Sequence, residues 1–422
     1  MKPSNTIATF FLLVLLPFAG TAAQGGLSLR QAEQVALQYD PVIKSHQQHA
    51  RAFEDESVAA GEWPDPKLKF GFLSLPTDSF ELDQEPMTQV VLGYQQALPR
   101  GDSTSLMAAA RQAQAGMKHA DVALRQRMVL LNTRKAWYQT YLQDQSMQII
   151  EQNRRLVRQQ LQVSQSLYAA GKSQQQDVLQ AELELSLMDD RLQQIASMQS
   201  QSRAMLAKWV GDELADMPLG EPGDFARNAL QKDVDELLSI LDQHPELKRT
   251  DAKIQASEKQ VDLAMQQYKP QWSFDLTYGK RDGFNMDGTD RADFFSALVL
   301  VDLPLFTEQN QDRILSARRS QLLAERYGKT DTRLSLAASL KQAYARYTKL
   351  QQRVQLYDRQ VLPQARQNAS AAFNGYQSGV VSFIALTRAR SAELKAELQH
   401  LNLMVEQAIA YAEIRFLVGE DA

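Results

Sequence analysis

Apolar residues recur every seven positions through the first half of the chain. Leu142, Ile149, Leu156 and Val163 keep this interval, which is the spacing of a coiled-coil seam. Between Asp102 and Gly171 there is no proline, and Gly116 is the only glycine. The pattern predicts one unbroken helix over Ser103–Ala169, about 100 Å long at about 1.5 Å per residue. A turn at Tyr168-Ala169-Ala170-Gly171-Lys172-Ser173 follows, and the seam resumes on a return helix. Val178, Leu185 and Leu192 form one row there; Met188, Ile195 and Trp209 form its companion. The remaining faces are mostly Gln, Arg, Glu, Asp and Ser. Such rods are stable only beside neighbours, because packing supplies most of a helix's stability. A helical hairpin over 103–209 is also too long for a compact globule.

Elsewhere the period is two. Leu68, Phe70 and Phe72 alternate with Lys67, Lys69 and Gly71, and Val90, Leu92 and Tyr94 with Gln89, Val91 and Gln95. Trp272, Phe274, Leu276 and Tyr278 alternate with Ser273, Asp275, Thr277 and Gly279. Strands are expected over 67–75, 87–98, 271–280 and 293–303, with polar loops at Pro76–Pro86 and Arg281–Ala292. Ser28 and Gln31 form a capping box that opens a short helix, and Pro41 suits the first turn of a second. Asp102 or Ser103 can cap the long helix.

The second half repeats the first. His244-Pro245 answers Asp40-Pro41, Leu303-Pro304 answers Leu98-Pro99, Tyr376-Gln377-Ser378-Gly379 answers Tyr168-Ala169-Ala170-Gly171, and Leu417-Val418-Gly419 answers Trp209-Val210-Gly211. The offsets run from 204 to 208 residues. The chain therefore reads as two structural repeats, 24–225 and 226–422. The second carries a helical hairpin over 307–417, whose long helix is expected from about Thr307 to Phe373. Its return helix has a 4-3-4-3-4 seam at Leu394, Leu398, Leu401, Val405, Ala408 and Ala412.

Composition removes several functions. The 422 residues hold 46 Lys+Arg against 50 Asp+Glu, a formal charge of −4, and no cysteine. A basic nucleic-acid footprint is absent. So are a disulfide scaffold, an iron–sulfur cluster, a thiol nucleophile and a cysteine-borne lipid anchor. Residues 1–23 read as a secretory signal peptide: Lys2, an apolar core at Ile7–Phe18, then small residues at 19–23. No later segment is apolar enough for a membrane helix, so any membrane entry is through β-strands.

Strands of about ten residues, apolar on one face and polar on the other, fit a transmembrane barrel with a wet lumen. Four strands cannot close a barrel, and lipid does not tolerate open edges. Either several chains contribute to one barrel, or the strands are soluble hairpins packed on helices. On the first reading Leu68, Phe70, Phe72, Val90, Leu92, Tyr94, Trp272, Phe274, Leu276 and Tyr278 face lipid. The helices then form a periplasmic tube about 100 Å long.

The duplicated helix–strand–strand–helix–helix plan resembles the TolC family of outer-membrane efflux ducts over essentially the whole mature chain. Leu167-Tyr168-Ala169-Ala170-Gly171 with Asp177-Val178-Leu179-Gln180-Ala181 is similar to the family's hairpin-tip motif. The resemblance implies a homotrimer, with a twelve-stranded β-barrel in the outer membrane continued by a twelve-helix α-barrel. It implies tips that meet a periplasmic adaptor serving an inner-membrane pump, here a proton-driven RND type. The docking residues it implies are Leu167, Tyr168, Gly171, Asp177, Val178, Leu179 and Ala181. The second tip keeps Tyr376, Gly379 and Leu386 but has Ala385 where the first has Asp177. Within the family, Glu85-Pro86-Met87-Thr88-Gln89 and Leu98-Pro99-Arg100-Gly101 resemble components of metal-cation efflux systems, the cobalt–zinc–cadmium and copper–silver type. A multidrug duct, a type I secretion duct and a soluble periplasmic coiled-coil scaffold are the alternatives.

Catalysis has no constellation. The chain has five histidines and no HExxH, GxSxG or phosphate-binding glycine loop. His46 and His49 share a helix face that reads as exposed and polar, and the methionines fill seams and strands. Asp177 is either a gate residue at the tunnel mouth or an acid favoured near a helix N-terminus. Passive conduction is expected, with no cofactor.

Overall fold

A computed structural model describes residues 26–222, 230 and 232–419. The signal peptide expected over 1–23 and the repeat boundary expected at 225/226 lie outside these residues. The first repeat runs α1 (Leu29–Tyr39), α2 (Pro41–Gly61), β1 (Lys67–Leu73), β2 (Gln89–Ala97), α3 (Ser103–Ala169), α4 (Gln175–Val210) and α5 (Asp212–Ala215). The second runs α6 (Val234–Ile240), α7 (Pro245–Gln266), β3 (Gln271–Lys280), β4 (Phe294–Asp302), α8 (Gln311–Leu356), a π-helical turn (Tyr357–Val361), α9 (Leu362–Gln377) and α10 (Phe383–Val418).

Capping boxes at Ser28/Gln31 and Asp233/Glu236 open α1 and α6, each satisfying orphan N–H groups. Asp102 holds the N-cap position of α3 without a side-chain cap bond, and its carboxylate meets Lys269 Nζ at 3.4 Å instead. Strand ends differ from the alternation for local reasons. Strand β1 stops at Leu73, not 75, because Ser74 adopts φ +55°. Strand β2 starts at Gln89, not 87, because the Thr88 N–H closes a turn on Glu85 O. Helix α8 opens at Gln311, after a turn in which Asn310 N–H bonds Thr307 O.

The long helices match across the duplication. Ser103 and Gln311, Ala169 and Gln377, Gln175 and Phe383, and Val210 and Val418 are each 208 positions apart. The two outgoing rods thus have the same length, yet the second is interrupted. Pro363 has no N–H and its ring crowds the carbonyl four residues back. The backbone answers with the π turn, whose Leu362 N–H bonds Tyr357 O.

Helix α3 is the spine. It packs against α2 and α7 over one half and against α4 and α10 over the other. Its buried positions Ser146, Ile150, Asn153, Val157, Gln160 and Ser164 make a 4-3-4-3-4 row in which polar and apolar side chains mix. Leu142, Ile149, Leu156 and Val163, the expected seam, are only half-buried. The main cores lie where the short helices gather. One surrounds Trp137, with Leu27, Leu206 and Val210; the other surrounds Leu340, with Leu237, Leu403 and Ile414.

The wall of helices breaks twice. The C-terminal end of α4 meets the start of α2, where Trp209 packs with Ile43, and the C-terminal end of α10 meets the start of α7, where Phe416 lies against His244. At the first break Asp40 accepts from Ile43 N–H at 2.8 Å, and Arg125 on α3 grips the same carboxylate at 2.8 and 3.2 Å. Burial works to raise the Asp40 carboxyl, but Arg125 and the backbone donors outweigh it and hold it below the ordinary range. At the second, Arg127 donates to the carbonyls of Phe416 and Leu417 at 3.2 and 3.4 Å. His244 Nδ1 accepts the Glu246 N–H at 3.2 Å, capping α7.

Candidate functional site

The four strands form one antiparallel sheet in the order β1-β2-β3-β4. Period two fixes which residues share a face. Leu68, Phe70 and Phe72 lie opposite Tyr94, Leu92 and Val90, and Leu92 and Tyr94 lie opposite Tyr278 and Leu276. All ten residues expected to face lipid therefore share one side, continued on β4 by Phe295, Val299 and Val301. The chain's own helices leave this side open; Phe70 is 79% exposed. An uncovered apolar face of this extent marks an interaction surface. It removes the premise of the soluble scaffold, a sheet packed on its own helices.

The other side carries Lys67, Lys69, Gln95, Ser273, Asp275, Thr277, Ser296 and Asp302, with Leu73, Val91, Phe294, Leu298 and Leu300 as apolar exceptions. Strands β1 and β4 are the sheet's edges, each paired on one side only. The loops beyond the strands are tied together. Arg291 donates to Asp83 O at 2.9 Å and to Glu85 O at 3.3 Å, and Arg281 donates to Pro86 O at 3.2 Å.

At the far end of the rods both turns close alike. Gly171 has φ +69° and Gly379 φ +75°, the left-handed conformation that suits glycine. Lys172 N–H bonds Leu167 O at 2.8 Å while Gly171 N–H bonds Tyr168 O at 2.9 Å. Val380 and Gly379 make the same pair of bonds to Gly375 and Tyr376 at 2.9 and 3.0 Å. This is the Schellman arrangement, which satisfies the last carbonyls of a helix.

The side chains of the two tips are not equivalent. Tyr376, Leu386, Ala181 and Phe383 form a buried cluster. Tyr376 stacks edge-on against Phe383 at 5.4 Å, and its hydroxyl meets Ser164 Oγ of α3 at 3.0 Å. Burial raises the Tyr376 phenol above its ordinary value. Tyr376, Leu386 and Ala181 thus join the hairpins and offer no outer surface. Leu167 and Val178 are half-buried; Tyr168, Leu179, Gly171 and Gly379 are exposed. Asp177 lies in the first turn of α4, where its charge suits the helix dipole. Val380 and Ile384 are exposed beside them. They escape the motif because they follow the glycine at positions where the first tip has Lys172 and Gln176. A shallow cavity of about 470 Å³ runs between the turns, lined by Lys172, Gln174, Asp177, Gly379, Phe383 and Ile384 among others.

Among the described residues no group of three or more His, Asp or Glu is placed to hold a metal, and no helix is long and apolar enough to cross a membrane. His46 lies 4.0 Å from Asp121, and His49 is exposed.

Comparison with known proteins agrees with this architecture. No curated protein sequence matches the chain. In fold it is similar to the outer-membrane channel OprN, at 19% identity and a TM-score of 0.74 over 93% of this chain and 89% of that one. It is similar to the outer membrane protein VceC of Vibrio cholerae, at 17% identity and 0.76 over 93% and 96%. It is also similar to CusC, described as forming a transmembrane channel, at 14% identity and 0.74 over 93% and 92%. The sequence profile of a family described as outer membrane efflux protein matches residues 33–212 and 237–420, one stretch per repeat. With most of its length inside that profile, the chain belongs to the outer membrane efflux protein family: it is a TolC-type outer-membrane efflux channel with a periplasmic helical part, a transporter and not an enzyme.

Proposed function

We propose that this chain is the outer-membrane duct of a tripartite efflux system and works as a homotrimer. Three copies supply twelve strands and a ring of twelve helices. The observation that carries the reading is the sheet itself. One face is apolar and open, and both edges are unpaired within the chain. Lipid tolerates such a sheet only when its edges pair. Joining β4 of one copy to β1 of the next achieves that, with Leu68, Phe70, Phe72, Val90, Leu92, Tyr94 and the β3 aromatics against outer-membrane lipid.

The tips receive a periplasmic adaptor that links the duct to an inner-membrane pump, a proton-driven RND type. Tyr168, Gly171, Leu179 and Gly379 offer the exposed surface, while Tyr376, Leu386 and Ala181 hold the two hairpins together beneath it. The duct is passive. An adaptor opens it only by binding the open form more tightly than the closed one.

Heavy-metal cations are the cargo we favour, from the likeness of Glu85–Gln89 and Leu98–Gly101 to metal-efflux components. These residues work at the strand ends here. Thr88 Oγ1 donates to Ser74 O at 2.9 Å, and Arg100 donates to Gln267 O and Gln271 at 3.4 and 3.2 Å. Choice of cargo therefore rests with the pump.

The test is genetic and biochemical together. Gly171→Pro places a fixed negative φ where φ is +69° and deletes a cap N–H; Asp177→Arg reverses the charge at the α4 N-terminus. Both variants are expected to reach the outer membrane as trimers and to lose efflux and adaptor capture. Normal resistance and normal capture in both would overturn tip docking. A chain released as a monomer by osmotic shock would overturn the duct.

A further inference from the structure

The polar face of the sheet carries a charge arrangement that the duct reading leaves unused. Lys69, Gly93, Thr277 and Ser296 lie in one row across the four strands, and Lys67, Gln95, Asp275 and Leu298 in the next. The ammonium of Lys69 reaches diagonally across β2 to pair with Asp275 on β3. It crosses at Gly93, where an added Cβ would stand 3.0 Å from Thr277 Oγ1 and 3.4 Å from Lys69 Cβ. A larger residue there would block the crossing. Thr277 Oγ1 donates to the other carboxylate oxygen at 3.2 Å. Asp275 is consequently buried, at 7% exposure, beneath Lys69, whose side chain remains 45% exposed. Lys67, one row away, is exposed and has no carboxylate partner among the described residues.

We infer that Lys67, Lys69 and Asp275 form a charged girdle inside the barrel that sets the ion selectivity of the duct. The inference rests on the trimeric duct proposed above, in which the polar face lines the lumen. Closing three copies brings the two rows round the barrel. The ammonium groups of Lys67 and Lys69 then face the water, with the three Asp275 carboxylates covered beneath. At these two rows the surface presented to passing ions is positive although each Lys69 is paired; the exposed carboxylate on the same face, Asp302, lies four residues beyond Leu298 toward the helices. Lumen charges at this range act through the screening length, about 10 Å at 0.1 M salt and about 3 Å at 1 M. The girdle therefore favours anions at low salt and loses its influence at high salt.

Purified trimers in planar bilayers under a KCl gradient read this directly as the Cl⁻/K⁺ permeability ratio. At about 0.1 M salt, Asp275→Asn is expected to raise the ratio, and Lys69→Gln to lower it, by about threefold or more, with the differences collapsing near 1 M. Both substitutions keep side-chain size close to native. The exchange Lys69→Asp with Asp275→Lys inverts the girdle by exposing carboxylates over covered ammonium groups. It lowers the ratio below that of wild type while keeping the cross-strand pair, and it carries the test should a single variant fail to assemble. Channels whose ratio stays at the wild-type value in the assembled variants at low salt would overturn the girdle and leave the duct reading intact. A wild-type chain that purifies as a monomer and never partitions into membranes would overturn the duct itself.

Discussion

His244 makes the second wall break sensitive to acid. Its Nδ1 accepts the Glu246 N–H, so the ring must be neutral there to cap α7. It is 2% exposed, packed edge-on against Phe416 at 5.7 Å. Burial, reinforced by the charge of Arg127, pushes the imidazole from 6.5 down to about 4. The unfolded chain then binds the proton more readily than the folded one. Stability from this site is complete above pH 6.5 and is lost as pH falls toward 4. At about 1.4 kcal/mol per pKa unit, the loss is about 2 kcal/mol per subunit at pH 5 and about 3 kcal/mol at pH 4. In a chain of this size about 2 kcal/mol corresponds to roughly 2–3 °C in a thermal midpoint. The assay is the temperature at which the detergent-solubilised trimer dissociates, measured at pH 7.5, 6 and 5 for wild type and His244→Asn. Asparagine keeps a capping oxygen and does not titrate. The midpoint difference should be near zero at pH 7.5, with wild type roughly 2–3 °C lower by pH 5. The subtraction removes titrations common to both proteins. A difference that does not change with pH would refute the reasoning.

Two further perturbations probe the rods. Tyr376→Phe removes the hydroxyl that meets Ser164 between the hairpins, a loss of about 1 kcal/mol; amide exchange across 376–386 should quicken about fivefold, and unchanged exchange would show that the bond holds nothing. Pro363→Ala restores an N–H donor to the interrupted rod, so protection across 357–363 should rise; no change would assign the π turn to the His400–Asp358 contact at 2.8 Å instead.

Much of this fold is legible in the residues because the elements are long and their periods clean. The seven-residue interval and the absence of proline define α3 from Ser103 to Ala169. The alternation at Trp272–Tyr278 puts its aromatics on one face before any pairing is known. The buried row on α3 is harder to see, because a hydrophobic scan finds Leu142 and Ile149 and passes over Ser146, Asn153 and Gln160. Those polar residues face neighbouring helices in a contact that mixes hydrogen-bonding and apolar groups. The asymmetry of the tips has a signal that the motif hides. At equivalent positions the first tip has Gln175 and the second Phe383, and an aromatic at the first turn of a helix must be buried somewhere. Pro363 is likewise plain in the sequence, but the helical period runs through it because a π turn absorbs one proline without ending the rod. Strand ends depend on single residues such as Ser74, which no pattern of period two reports.

The two wall breaks explain why α3 alone needs to be continuous over its whole length. Each break sets the C-terminus of one helix against the N-terminus of the next, leaving unpaired carbonyls on one side and unpaired N–H groups on the other. Arg125 and Arg127 are two residues apart, which turns them about 200° from each other around α3. One therefore reaches the α4/α2 break and the other the α10/α7 break, on opposite flanks of the same rod. Arg125 works through Asp40, which caps the incoming helix. Arg127 works on the outgoing helix, donating to its last carbonyls. A cation is favoured at a helix C-terminus and an acid at an N-terminus, so both use the dipoles the breaks expose. Pairing within a chain thus gives each wall segment a continuous neighbour.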